Sequence, residues 1–104
     1  MKTLYKKEKM TIRDTCIYYE VVMFNFKKFR IYIELSNSKC LGFNGHCCLA
    51  VMNDNGVWEN IVDNKEIGES FNSDLYYSQD TIAKDAEFSR IANIFKDYIK
   101  KVYE

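Results

Sequence analysis

The clearest hydrophobic pattern lies at the C-terminal end. Phe88, Ile91, Ala92, Phe95, Tyr98, Ile99 and Val102 recur at the i, i+3, i+4, i+7 spacing of one helix face. Lys84, Asp85, Arg90, Lys96, Asp97, Lys100 and Lys101 fill the other positions. Asp80 or Thr81 can cap the first turn, Asp85 and Glu87 come early, and lysines close the last turn, the order a helix dipole favours. No Pro or Gly interrupts the stretch, so Thr81 to Tyr103 predicts one long amphipathic helix.

Upstream the period changes. Thr15 to Phe26 is rich in β-formers, and Phe29 to Leu35 alternates Phe29, Ile31, Ile33 and Leu35 with Arg30, Tyr32 and Glu34. A turn at Lys27-Lys28 would pair Phe26 with Phe29, Phe24 with Ile31 and Val22 with Ile33 on one face. That register puts Ile17, Tyr19, Val21, Met23 and Tyr32 on the face away from the helix, more apolar surface than a solvated sheet face carries. The N-terminal segment, the chain after Val62, a second subunit or another partner would have to cover it. Ser36 to Gly45 reads as a loop, His46 to Asn53 as a buried strand, and Asn55-Gly56 as a type I′ turn into a strand over Val57 to Val62. Met1 to Asp14 favours a further edge strand, and Asp63 to Asp80 is a long irregular connection. The expected fold is a single α+β domain over residues 1–104, an antiparallel sheet of three to five strands with the C-terminal helix packed on one face. Its expected core is Val22, Phe24, Phe26, Ile31, Ile33, Leu49, Val51, Phe88, Ile91, Phe95, Ile99 and Val102.

Composition then narrows the function classes. The chain has 104 residues, 47% of them hydrophobic, and a formal net charge of zero. Nothing global recommends nucleic acid or an anionic membrane as partner. The apolar runs are too short to span a bilayer, and no signal-peptide core follows Met1-Lys2, so a cytoplasmic location with reduced cysteines is expected. The absence of proline, with much Lys, Asn, Ile and Tyr, suggests an AT-rich coding genome, a matter of nucleotide bias without bearing on mechanism.

The charges are segregated. Residues 1–52 carry nine bases against four acids, residues 53–87 two against nine, and residues 88–104 four against two. A neutral chain can thus carry strong local fields.

Candidate chemistry is sparse. Cys40, His46, Cys47 and Cys48 could suggest a metal site, with Cys16 distant. However, Cys47 and Cys48 are adjacent on a strand and point to opposite faces, so no metal or other cofactor is expected. A thiol nucleophile would have to use His46, the one histidine. Gly42-Phe43-Asn44-Gly45 is not a phosphate loop, and Glu66 and Glu69 have no evident pocket to shift their acidity. No enzyme is expected.

A basic set, Lys27, Lys28, Arg30 and Lys39 with Phe29, Tyr32 and Tyr19, could form a nucleic-acid platform, but without a known motif it ranks second. The acidic stretch ranks first. Asp54, Glu59, Asp63, Glu66, Glu69 and Asp74, interleaved with Trp58, Phe71, Tyr76 and Tyr77, could occupy a basic groove that normally holds phosphate. In size, fold type and charge pattern the chain resembles small inhibitors of nucleic-acid enzymes, including anti-CRISPR and anti-restriction proteins. No motif accompanies that resemblance, so it transfers no functional residue. The expected function is a non-enzymatic protein-binding module of this inhibitor type, with a basic, nucleic-acid-binding protein as partner. Third comes a thiol or metal protein around His46.

Overall fold

A computed structural model describes residues 1–11, 15–38, 42–68 and 81–104, with side chains over 1–7, 16–35, 45–68 and 86–104. Five strands form one antiparallel sheet in sequence order, β1 (Lys2–Thr11), β2 (Thr15–Phe24), β3 (Lys27–Ser38), β4 (Gly42–Met52) and β5 (Trp58–Asp63). Among the described residues one helix, α1 (Thr81–Val102), packs against it, an α+β arrangement. The helix lies over β2 and β3. Phe88 stacks on Tyr18 at 5.7 Å near one end, and Tyr103 meets Phe29 edge-on at 4.9 Å near the other. Ile91, Phe95 and Ile99 are fully buried between them, as the helical spacing predicts.

The β2–β3 hairpin differs in register from the sequence expectation. Its turn is Asn25-Phe26, and the ladder pairs Phe24 with Lys27, Val22 with Phe29 and Tyr18 with Ile33. Both turn residues have positive φ, +53° and +64°. A two-residue hairpin turn requires this, Asn tolerates it, and Lys27-Lys28 offers no such residue. The pairing moves by an even number of positions, so each side chain keeps its face. Phe26 leaves the expected core and is 97% exposed, while Phe29 enters it.

Val102 is also exposed, in the last turn of the helix, and Phe24 and Val51 are only half-buried at the core's margin. Cys16, Tyr18, Leu35, Cys47, Val62 and Ala92 complete the core.

Two connections also differ from the sequence expectation. The expected loop Ser36 to Gly45 is largely strand, because β3 and β4 continue pairing to Ser38 and Gly42. Ladder hydrogen bonds there outweigh the weak strand preference of Ser, Asn and Gly. At the β4–β5 turn, Asn53 N donates to Val57 O at 2.9 Å and only Gly56 has positive φ, +78°. That is a three-residue loop closed by a left-handed glycine, not a type I′ turn. The Asn53 side chain stabilises it by accepting from Asn55 N and Val57 N at 2.9 and 3.0 Å.

One carboxylate sits inside the helix-facing layer. Glu20 is 1% exposed and accepts from Tyr18 Oη at 2.5 Å and Thr3 Oγ1 at 2.7 Å, with Lys96 Nζ at 3.0 Å. It therefore joins β1, β2 and the helix. Burial by itself would raise its pKa, but the bonds from Tyr18, Thr3 and Lys96, with the Lys96 charge, hold the carboxyl below its usual value.

Two predictions follow from these contacts. Phe26→Gly removes a bulky residue from left-handed backbone without emptying the core, and equilibrium urea unfolding should show a gain of about 0.5–1 kcal/mol. Glu20, with a depressed folded pKa, contributes stability that is present above the ordinary carboxylate range and lost as pH falls through the folded value. Glu20→Gln should cost about 1–3 kcal/mol at pH 6 and lose less than the parent on acidification toward pH 3. An equal loss in both proteins would count against this role.

Candidate functional site

The outer sheet face, opposite the helix, is built by period-2 alternation and can be read in rows across the strands. One row runs Tyr5, Val21, Arg30, Ala50, Asn60, and the next Lys7, Tyr19, Tyr32, Cys48, Asp63. Beyond them lie Met23 with Lys28 and Met52 with Trp58 at one end, and Ile17, Glu34 and His46 at the other. As expected, Ile17, Tyr19, Val21, Met23 and Tyr32 share this face. The N-terminal segment extends the sheet beside them as β1 instead of covering them. All five are half-buried, and no described element lies over them.

Ring contacts order the surface. Tyr5 meets Tyr19 edge-on at 5.8 Å, and the Arg30 guanidinium lies 5.3 Å from the Trp58 ring centroid. Arg30 Nε is buried and has no hydrogen-bond partner among the described residues. Tyr32 Oη donates to Glu34 at 2.9 Å, and burial together with that carboxylate pushes the phenol up to about 12. A recess of about 300 Å³ opens between Tyr5, Lys7, Ile17 and Tyr19.

The basic set proposed for nucleic acid is divided. Tyr19, Lys28, Arg30 and Tyr32 lie on this outer face, Phe29 is fully buried on the other, and Lys39 is outside the described residues.

The acidic set wraps around the β5 edge. Trp58 and Asp63 belong to the outer face, Glu59 to the helix side, and Asp54 to the exposed hairpin loop. Glu66 and Asp63 close the turn after β5 by reciprocal bonds, Glu66 N to Asp63 Oδ1 at 2.9 Å and Asp63 N to Glu66 Oε1 at 3.3 Å. Glu69, Phe71, Asp74, Tyr76 and Tyr77 lie outside the described residues.

Next to this turn a groove of about 510 Å³ runs between β5 and the helix. Val62, Ile67, Ile94 and Tyr98 line it with apolar surface, and Glu66, Asp97 and Lys101 supply its charges. Sequence reasoning missed Asp97 and Ile94 as site residues because Asp97 reads as a polar position of the helix and Ile94 falls outside its apolar spacing; only the return of the chain after β5 brings them beside Glu66.

His46 and Cys48 sit two residues apart on the outer face, in a cleft of about 160 Å³ that also holds Asp63 and Glu66. Cys47 points the other way, fully buried, as strand alternation predicts. Burial pushes the Cys48 thiol up, Arg30 pulls it partway back, and Asp63 raises it again. A nucleophilic cysteine needs the opposite shift. Among the described residues no three of His, Cys, Asp and Glu group so as to hold a metal ion, and no helix is long and apolar enough to cross a membrane. Cys40 lies outside the described residues.

No family model, curated protein or solved structure matches the chain.

The Cys48 environment is testable. Asp63→Asn keeps the acceptor for Glu66 N but removes the charge, and should speed Cys48 alkylation by iodoacetamide at pH 8 about two- to threefold. Mass-spectrometric site assignment reads the rate, and an unchanged or slower rate would contradict the coupling.

Proposed function

We propose that the protein is a non-enzymatic protein-binding module whose acidic β5 side engages a basic partner, in its most concrete form a nucleic-acid-binding protein that it inhibits. The observation that carries this reading is the groove beside β5. Its apolar floor can seat an aliphatic or aromatic anchor, and Glu66 and Asp97 can pair with basic side chains flanking that anchor. Among the described residues β5 pairs only with β4, so this edge of the sheet has no further strand beside it, and an added extended segment is one way for a partner to engage it. The described acids Asp54, Glu59 and Asp63 continue the negative field along the same edge. Lys101 at the groove offsets part of the charge, which favours a partner with both apolar and basic groups over a purely cationic one.

Affinity capture from a bacterial lysate at low and high salt, with nuclease treatment, provides the test. A basic protein held at low salt should be released at high salt, because exposed charge pairs are screened. Against the purified partner, Glu66→Gln combined with Asp97→Lys should weaken binding about tenfold or more, since Glu66→Gln retains an acceptor for the turn. Undiminished affinity in that variant would remove the acidic side from the interface. Capture that disappears with nuclease would instead favour the nucleic-acid reading.

A further inference from the structure

The outer face carries an inference independent of the acidic-side reading. We infer that it is a homodimer interface, in which two copies pack sheet on sheet and enclose a second core.

The face has the composition of an interface centre. Tyr19, Tyr32, Trp58 and Arg30 are the residue types that dominate binding energy, and Val21 and Met23 fill the space between them. Its size suits a second copy. Five strands about 4.8 Å apart, with ten residues rising about 3.3 Å each, span about 20 by 33 Å, on the order of 650 Å² of footprint. Standard interfaces bury about 800 Å² per partner, and side-chain relief raises accessible area above a flat footprint. The sheet edges compete poorly for a partner copy. β1 carries Lys2, Lys6 and Lys7 and a register shift at Leu4, while β5 is six residues long with a shift at Ile61.

Charge decides both the occupant and the orientation. The central row is Lys6, Glu20, Ile31, Leu49, Val62, whose side chains face the helix. The outer-face rows are placed symmetrically about it, with the bases Lys2, Lys28 and Arg30 on one side and the acids Glu34 and Asp63 on the other, where Lys7 at the β1 edge is the one base and would meet Tyr5 of the second copy when the rows are inverted. A two-fold axis between the faces can run along the strands or across them. Along the strands it sets β3 on β3 in the same sense, opposing Arg30 to Arg30, Lys28 to Lys28 and Glu34 to Glu34. Across the strands it inverts the rows. Lys28 then meets Glu34 of the second copy, Arg30 meets Tyr32, Val21 meets Tyr19 and Met23 meets Ile17. Among the described side chains this arrangement opposes no like charges, and at the rim Lys2 meets only the register position of Lys9, where water screens repulsion. A phosphate backbone would have to lie against Glu34 and Asp63, which disfavours nucleic acid as the occupant.

Sedimentation equilibrium of the full chain tests the assignment. The expected mass is twice 12.3 kDa. Because each contact occurs twice in a two-fold interface, Lys28→Glu and Glu34→Lys should each raise the dissociation constant about tenfold or more. The double variant Lys28→Glu/Glu34→Lys should restore the dimer, a rescue that a fold defect would not give, and circular dichroism checks the fold. Three outcomes would overturn the inference. The first is a monomer at hundreds of micromolar. The second is a dimer insensitive to both single reversals. The third is a monomer that binds a single-stranded oligonucleotide and loses it on Arg30→Glu substitution.

Discussion

The helix Thr81–Val102 covers one face of the sheet, and that single-sided packing sets the character of everything else. A helix is about 10 Å wide and five strands span about 20 Å, so one helix shields the strands it crosses and leaves the margins to other groups. Over β2 and β3, Phe88, Ile91, Phe95 and Ile99 close the core against Tyr18, Phe29, Ile31 and Ile33. At one margin a salt-linked carboxylate, Glu20, joins the edge strand to the helix through Thr3 and Lys96. At the other, beside β5, the cover is incomplete and a groove remains. Among the described residues no element covers the far face, which carries the half-buried aromatics and aliphatics that a solvated sheet would replace with polar groups.

The element types were legible because the two periods, 3.6 and 2, are cleanly written in residues 15–35 and 81–103. The faces were legible too, since alternation fixes them even when the register is misread. The β2–β3 register itself turned on one stereochemical point, the ability of Asn25 to take positive φ, and Phe26 follows it there against its own preference. Hydrophobic matching alone drew Phe26 inward. The long β3 and β4 strands were hidden because Ser, Asn and Gly resemble loop residues until a neighbouring strand supplies hydrogen bonds.

The site was less legible. Acid clustering marked Asp63 and Glu66, but spacing in the chain could not show that the acids curve around the β5 edge, with Glu59 and Asp63 on opposite sides. Nor could it pair Glu66 with Asp97, which lies 31 positions later on the helix. The buried Glu20 was equally hidden, because an acid inside an alternating strand looks like a solvent-facing position until its three partners are seen. His46 and Cys48 share a face because they are two residues apart, a consequence of alternation obscured by the adjacent pair Cys47 and Cys48.

The sheet order is the sequence order, so each strand finds its partner in the segment next to it. Contacts of that kind are short in sequence separation and close quickly, whereas the helix must return from beyond β5 to lie over β2 and β3. The meander can therefore zip up hairpin by hairpin before the helix docks. In that interval the sheet is apolar on both faces, and the nascent species is the most aggregation-prone state the chain passes through. On a ribosome the interval is prolonged, because the helix emerges only after all five strands, and the lysines along the first strand are in place before it to keep the unfinished sheet from stacking on its neighbours.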